Sequence, residues 1–275
     1  MRLGTSTYSF WHFKGPKKPL KEYIKHAYEI GFDGVEILVD HIEETTKGYL
    51  TEIKRYAFSL GLDIYAISIH NDFVNPDPFE REKQIRYTER WIEIAGLLGC
   101  KAIRINSGRW RTIKSFDELM KAKGLEPPLP GYTNEDAFKW VIECINKVLP
   151  VAEDWGIVLA LENHWGLTRD AEGVLRIIRE VNSPWLRALM DTGNFIENTY
   201  EQLEKIAPYA IMVHAKTYYG GGEWYTLDLD YDKIFEILKK VNFDGWVSLE
   251  YEGKEEYISG VKKSYKLLSK YIKRK

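Results

Sequence analysis

Residues 157–164 read IVLALENH, an aliphatic run that ends at Glu162 and is followed at once by Asn163 and His164. A short apolar run of this kind is typical of a buried parallel strand. Three later segments show the same pattern of an apolar run followed by a polar residue: LRALMDTGN at 186–194, AIMVHAK at 210–216 and GWVSLEYEG at 245–253. Each carries a metal-competent side chain at its carboxyl end, namely Asp191, His214 and Glu250. The four segments therefore predict four successive strands that end in polar groups.

Similar apolar runs occur along the rest of the chain, mostly about 30 residues apart, with amphipathic segments between them. The predicted strands are Arg2–Thr7, Gly34–Leu38, Asp63–Ile69, Ala102–Ile105, Ile157–Glu162, Arg187–Asp191, Ala210–His214 and Trp246–Glu250. A doubly wound sheet usually places a glycine-rich phosphate loop after its first strand, but here TYSFWHF follows. The pattern predicts an α/β protein, a single (β/α)8 TIM barrel that forms one domain over residues 1–275.

Composition narrows the class of protein. The 275 residues are 44% hydrophobic and 29% charged, with a formal net charge of −2, which gives no reason to expect nucleic acid as a partner. The N-terminus lacks the apolar region of a signal peptide, and no run approaches a membrane span. Cys100 and Cys144 have no metal-site or redox spacing and are read as reduced thiols. We expect a soluble, cytoplasmic protein without a membrane partner.

The four strand-end residues should form one site, because neighbouring barrel strands lie about 4.8 Å apart and alternate residues point inward. Three converging carboxylates would repel one another, and a bound cation would remove that penalty. One imidazole and three carboxylates form a mostly hard ligand set. We therefore predict a divalent metal held by Glu162, Asp191, His214 and Glu250, with Mn²⁺ first and Co²⁺, Mg²⁺ or Zn²⁺ as alternatives.

Other polar and aromatic residues follow the predicted strands and are candidates for binding a substrate. They are Trp11, His12, His70, Arg104, Asn106, His164, Asn194 and Lys216. Trp11, His12 and Phe13 follow the first strand and would provide an aromatic wall for a sugar ring. Two long connections, 106–134 and 216–229, would lie at the same mouth of the barrel, as lids or as contacts in a homo-oligomer.

The segments LENH, MDTGN, VHAK and DGWVSLEYEG, together with DGVEI at 33–37, resemble the xylose isomerase-like barrel superfamily. Within it the chain is most similar to the sugar phosphate isomerase/epimerase group. The resemblance implies that Glu162, Asp191, His214 and Glu250 bind the metal, and that Glu162 and Glu250 also serve as acid and base. Many relatives carry a substrate-contacting histidine three residues after the aspartate, where this chain has Asn194.

This site suits proton transfer next to a sugar carbonyl, with the ion stabilising an enediolate. Return of the proton to the same carbon gives an epimer, and return to the neighbouring carbon gives an aldose–ketose isomer. We predict an isomerase or epimerase acting on a small carbohydrate, either free or phosphorylated. A dehydratase, another lyase or a deglycosidase remains open as an alternative, as does a binding protein without turnover. An abasic-site endonuclease would need a multi-zinc cluster with more histidines.

Overall fold

Eight parallel strands close into a barrel in chain order, and the last strand pairs with the first. The computed structural model describes residues 1–272. The strands are β1 Arg2–Ser6, β2 Gly34–Leu38, β3 Asp63–Ser68, β4 Ala102–Ile105, β5 Val158–Glu162, β6 Leu186–Asp191, β7 Ala210–Thr217 and β8 Trp246–Tyr251. The predicted (β/α)8 barrel is confirmed, whereas the assignment of residues 1–275 to one domain stays a prediction. The largest shift in a strand boundary is at β7, which runs three residues beyond the predicted end.

Helices surround the barrel and connect its strands. They are α1 Leu20–Ile30, α2 Lys47–Ser59, α3 Pro78–Leu98, α4 Phe116–Lys121, α5 Asn134–Trp155, α6 Ala171–Val181, α7 Thr199–Ile206, α8 Tyr231–Lys240 and α9 Tyr257–Leu268. The short helix α4 lies inside the connection at 106–134, where the sequence predicted only a loop. It begins because the Ser115 hydroxyl accepts a hydrogen bond from the backbone N–H of Glu118. No helix among residues 1–272 has the length and apolarity needed to cross a membrane.

The lower part of the barrel is filled by packed side chains, so the polar residues above it rest on a closed floor. Tyr65 and Trp246 stack inside the barrel with ring centroids 4.0 Å apart. Gly4 makes room for this pair, because a Cβ at that position would lie 2.4 Å from the Tyr65 ring. The Tyr65 hydroxyl donates to the Ser248 hydroxyl at 2.6 Å, which links the packed side chains to the polar residues above them.

Strand register brings the candidate ligands to one end of the barrel. Asp191 lies directly beside His214 across β6 and β7, and Glu250 lies beside Lys216 across β7 and β8. Glu162 is the last residue of β5, on the other side of β6. All of these positions are at the carboxyl ends of parallel strands, the end at which barrel enzymes build their active sites.

Candidate metal centre

Four side chains from consecutive strands converge in a buried cluster at the carboxyl end of the barrel. Glu162, Asp191, His214 and Glu250 each offer a ligand atom, and these atoms all lie within 4.8 Å of one another. All four residues are buried. The spacing suits a shared cation, which would bind between the atoms at about 2.0–2.3 Å from each.

The imidazole of His214 is oriented by carboxylates on both of its nitrogens. Its Nδ1 lies 3.0 Å from Glu162 Oε1 and 3.3 Å from Glu250 Oε1. Its Nε2 lies 2.9 Å from Glu36 Oε2. A proton on Nε2 shared with Glu36 leaves the Nδ1 lone pair free to bind a metal.

The two glutamates of the cluster each direct one carboxylate oxygen to His214 and the other oxygen to a positively charged side chain. Glu162 directs Oε1 to His214, while its Oε2 accepts a hydrogen bond from Arg104 Nη1 at 3.1 Å. Glu250 directs Oε1 to His214, while its Oε2 lies 3.4 Å from Lys216 Nζ. In each carboxylate one oxygen faces the cluster and the other faces a cation.

Asp191 provides the test of whether these residues fit a metal ion. Its Oδ1 accepts the backbone N–H of Gly193 at 2.8 Å, but its buried Oδ2 has no hydrogen-bond partner among residues 1–272. That oxygen lies 3.8 Å from His214 Nδ1 and 3.6 Å from Lys216 Nζ. A buried carboxylate oxygen without a partner is costly unless an ion binds it. The ligand set therefore fits a divalent cation.

Electrostatics in the cluster favour different protonation states for its carboxyl groups. Burial raises the pKa of Asp191 well above its ordinary value; Lys216 opposes the shift, and the nearby Glu162 and Glu250 carboxylates add to it. Burial also acts to raise the pKa of Glu162, but Arg104 and His214 outweigh it and hold that pKa below its usual range. A dication would lower the pKa of all three acids and let them ionise together.

Glu36 at the centre of β2 holds the outer face of His214. Besides the imidazole, it accepts hydrogen bonds from Ser68 Oγ and, at 2.7 Å, from Ser248 Oγ. Glu36 is not among the residues that the sequence predicts for the site, because a single glutamate inside a strand also fits a purely structural role. Its position two residues after Gly34 in DGVEI indicated only that it lies within the barrel.

We expect Glu36→Gln to weaken metal binding about 10- to 100-fold, because a carboxylate behind a ligating histidine sets its tautomer and raises its basicity. Isothermal titration of metal-free protein with Mn²⁺ measures the change. Glu236→Gln, which alters an exposed position on α8, is the matched control and should keep wild-type affinity. Unchanged Mn²⁺ affinity in Glu36→Gln would show that the Glu36 carboxylate has a structural role and does not support metal binding through His214.

A cavity of about 440 Å³ opens above the cluster. Most of the predicted substrate-binding residues line it: His70, Arg104, Asn106, His164, Asn194 and Lys216. Burial lowers the pKa of His164 to about 3, so this imidazole is neutral. Asn194 already uses its amide within the protein, donating to Asn163 O at 2.9 Å and accepting from the Tyr225 hydroxyl at 3.0 Å.

Of the three residues predicted to form an aromatic wall, Phe13 lines this cavity, whereas Trp11 and His12 do not. Trp11 packs against His41, and His12 packs against Tyr251. The chain after β1 turns through a short 3-10 helix and then takes positive φ at His12 and Phe13, which directs Phe13 to the cavity instead.

Several residues at the cavity were not predicted from the sequence. They are Tyr8, Phe116, Trp165, Tyr225 and Glu252. Glu252 had a detectable signal, since it lies two residues after Glu250 and would point the same way if β8 continued. Its Oε1 lies 2.7 Å from Lys216 Nζ, which places a further carboxylate beside the cluster. The aromatic residues come from the connections between strands and helices, where no long periodicity indicates the direction of a side chain.

Comparison with known proteins supports this architecture. The structure is similar to that of 3-keto-D-glucoside 4-epimerase YcjR from E. coli, with 20% identity, a TM-score of 0.77 and coverage of 98% of this chain and 99% of that chain. It is also similar to D-psicose 3-epimerase, with 17% identity, a TM-score of 0.78 and the same coverage of 98% and 99%. At these identities the likeness shows the fold alone.

Sequence comparison extends over most of the chain. An uncharacterized protein of Methanocaldococcus jannaschii, MJ1311, is 27% identical over an alignment 165 residues long that covers 52% of this chain and 54% of that protein. The alignment thus spans about half the length of that relative. The profile of the family described as "Xylose isomerase-like TIM barrel" matches residues 24–271. The chain therefore belongs to the xylose isomerase-like TIM barrel family.

Proposed function

We propose that this protein is a divalent-metal-dependent isomerase or epimerase of sugars, with Glu162, Asp191, His214 and Glu250 as metal ligands. The observation that carries the proposal is the division of oxygens in Glu162 and Glu250, each with one oxygen at the cluster and one beside a cation. The names of the structural neighbours, a 3-keto-D-glucoside 4-epimerase and a D-psicose 3-epimerase, agree with this chemistry. Mn²⁺ is the proposed metal, since the ligand set is mostly hard.

When bound, the ion supplies the Lewis acidity that stabilises negative charge on the oxygens of a sugar enediolate. Glu162 on β5 and Glu250 on β8 are separated by β6 and β7, so they can approach a bound sugar from two sides. One carboxylate removes the proton from the carbon beside the carbonyl, and the other returns a proton. The carbon that receives this proton decides between epimer and isomer.

The residues that line the cavity would position the sugar against the carboxylates of Glu162 and Glu250. We assign hydrogen bonding of sugar hydroxyls to His70, Arg104, Asn106, His164, Asn194 and Lys216, all of which line the cavity. Burial raises the pKa of Glu250, and the Lys216 ammonium, 3.4 Å from Glu250 Oε2, opposes that rise.

The test is deuterium exchange in D₂O with purified, Mn²⁺-loaded protein against free and phosphorylated ketoses, keto glycosides, inososes and hydroxypyruvate. We expect solvent deuterium to enter the carbon next to the carbonyl of at least one of these compounds. Exchange should stop after chelation and resume with added Mn²⁺. If the protein binds Mn²⁺ but exchanges and converts none of them, the isomerase proposal is wrong.

A dehydratase is the second candidate, and the pairing of Lys216 with Glu252 at 2.7 Å is the observation that favours it. An ammonium beside the base Glu250 could donate its proton to a departing hydroxyl. If elimination is the reaction, mass spectrometry will show a product that has lost water. Lys216→Met should then lower its rate by about 10²-fold or more, and Lys216→Arg should lower it less. Deuterated product without water loss would instead identify the isomerase.

A further inference from the structure

Aromatic side chains surround the outer part of the cavity. Phe13, Phe116 and Trp224 line the same cavity as the metal cluster, yet they are 49%, 37% and 39% exposed. They come from the segment after β1, from the start of α4 and from the loop after β7. Phe116 and Trp224 are in edge contact, with ring centroids 5.0 Å apart. A sugar ring placed over the metal ligands would leave this apolar surface uncovered.

Every permanent cation that lines the cavity already has a carboxylate partner. The pairs are Arg104–Glu162 at 3.1 Å, Lys216–Glu252 at 2.7 Å and Arg109–Glu126 at 2.6 Å. A phosphate group would have to displace one of these carboxylates to gain its own ion pair. Because the remaining carboxylate would then be buried without a partner, the exchange is unfavourable.

Formal charges around the metal cluster also disfavour an anionic substrate. The three carboxylate ligands, Glu36 and Glu252 carry five negative charges, and Arg104 and Lys216 carry two positive charges. A divalent ion leaves the sum at −1, so a negatively charged substrate would be repelled. The cavity therefore suits a ligand without net charge, and its volume of about 440 Å³ lies within the range of about 300–1,000 Å³ for pockets that enclose drug-sized ligands.

Building on the proposed function, we infer that the substrate is an uncharged glycoside of a keto sugar. The keto-sugar ring lies over the metal ligands, and a second ring, joined through the glycosidic oxygen, packs its apolar face against Phe13, Phe116 and Trp224. The glycosidic bond fixes the anomeric carbon, so the carbonyl is at another ring carbon. The reaction needs no oxidant, because the electron pair of the broken C–H bond enters the enediolate and returns when a proton is added.

The experiment compares three probes on the Mn²⁺-loaded protein: a methyl 3-ketoglucoside, a 3-keto disaccharide and 3-ketoglucose 6-phosphate. Isothermal titration gives Kd, and deuterium exchange gives kcat/KM. We expect the disaccharide to bind about tenfold tighter than the methyl glycoside, since burial of one apolar ring face contributes on that scale. We expect the phosphate to bind no tighter than the methyl glycoside.

Substitutions test which residues cause the disaccharide to bind more tightly than the methyl glycoside. Trp224→Ala and Phe116→Ala should each bring the ratio of the two Kd values towards one. Phe79→Ala, at a residue on α3 that is 78% exposed and lies outside the cavity lining, should keep the wild-type ratio. Equal Kd values in the wild type, tightest binding of the phosphate, or no measurable binding of the disaccharide would overturn the inference. If the disaccharide still binds more tightly but no probe exchanges deuterium, the proposed function is wrong. The inference that Phe13, Phe116 and Trp224 bind a second sugar ring is then retained.

Discussion

Glu250→Gln should lower metal-dependent deuterium exchange by about 10³-fold or more. The substitution keeps the size of the side chain but removes the carboxylate that, in our proposal, both binds the ion and transfers the proton. General acid–base catalysis alone contributes about 10²–10⁴-fold, and the loss of a charged ligand adds to this. The measurement is the rate of deuterium incorporation next to the carbonyl at saturating Mn²⁺, on the substrate identified by the exchange screen.

Two controls separate the roles of Glu250. Glu236→Gln makes the same chemical change at an exposed position of α8 and should retain the wild-type rate. The metal content of Glu250→Gln, measured by mass spectrometry, distinguishes a lost base from a lost ion. Retention of more than a tenth of the wild-type rate with Mn²⁺ bound would contradict a proton-transfer role for Glu250.

Removal of the metal should lower the thermal unfolding midpoint by about 10 °C. An ion present at about 1,000 times its Kd stabilises the folded state by about 4 kcal/mol, and each kcal/mol shifts Tm by roughly 2–4 °C in a chain of this size. The buried Asp191 Oδ2 has no hydrogen-bond partner among the described residues, and when the ion leaves, the Lys216 ammonium 3.6 Å away is the cation that remains near it. Calorimetry at one fixed scan rate, with chelator and then with excess Mn²⁺, measures the loss and its recovery.

Asp191→Asn tests the origin of this stabilisation. The variant removes one of the three buried carboxylates, so its metal-free form should unfold at a higher temperature than metal-free wild type. Its Tm should also respond less to added Mn²⁺, because the amide is a weaker ligand. If chelation leaves the wild-type Tm unchanged while Mn²⁺ is shown to depart, the cluster does not couple metal binding to folding.

The strands and their order could be predicted from the sequence because a strand that is buried on both faces consists almost entirely of apolar residues. IVLALE, LRALM and AIMV are apolar runs of strand length, and each ends where a polar residue begins. The same rule placed Glu162, Asp191, His214 and Glu250 at one end of the barrel. The structure brings these four together, and their binding of a metal stays a prediction that the experiments above test.

Tertiary structure decided the features that depend on contacts between distant segments. The pairing of Glu36 with His214 joins residues 178 apart in the chain, and nothing in DGVEI alone selects that partner. The choice of Phe13 over Trp11 and His12 depends on positive φ values, which local sequence does not reveal for non-glycine residues. Likewise, the contact between Phe116 and Trp224 exists only because the start of α4 and the loop after β7 meet above the barrel.

For this protein the sequence by itself determined the barrel, the order of its strands and the set of acidic and imidazole groups at its mouth. These follow from hydrophobic periodicity and from the rule that parallel strands place their carboxyl ends together. Only the tertiary structure decided which oxygen faces the cluster, which cation holds the other oxygen and which aromatic rings enclose the cavity. Those properties depend on the direction of each side chain and on the path of each loop, which are set by packing against residues remote in sequence.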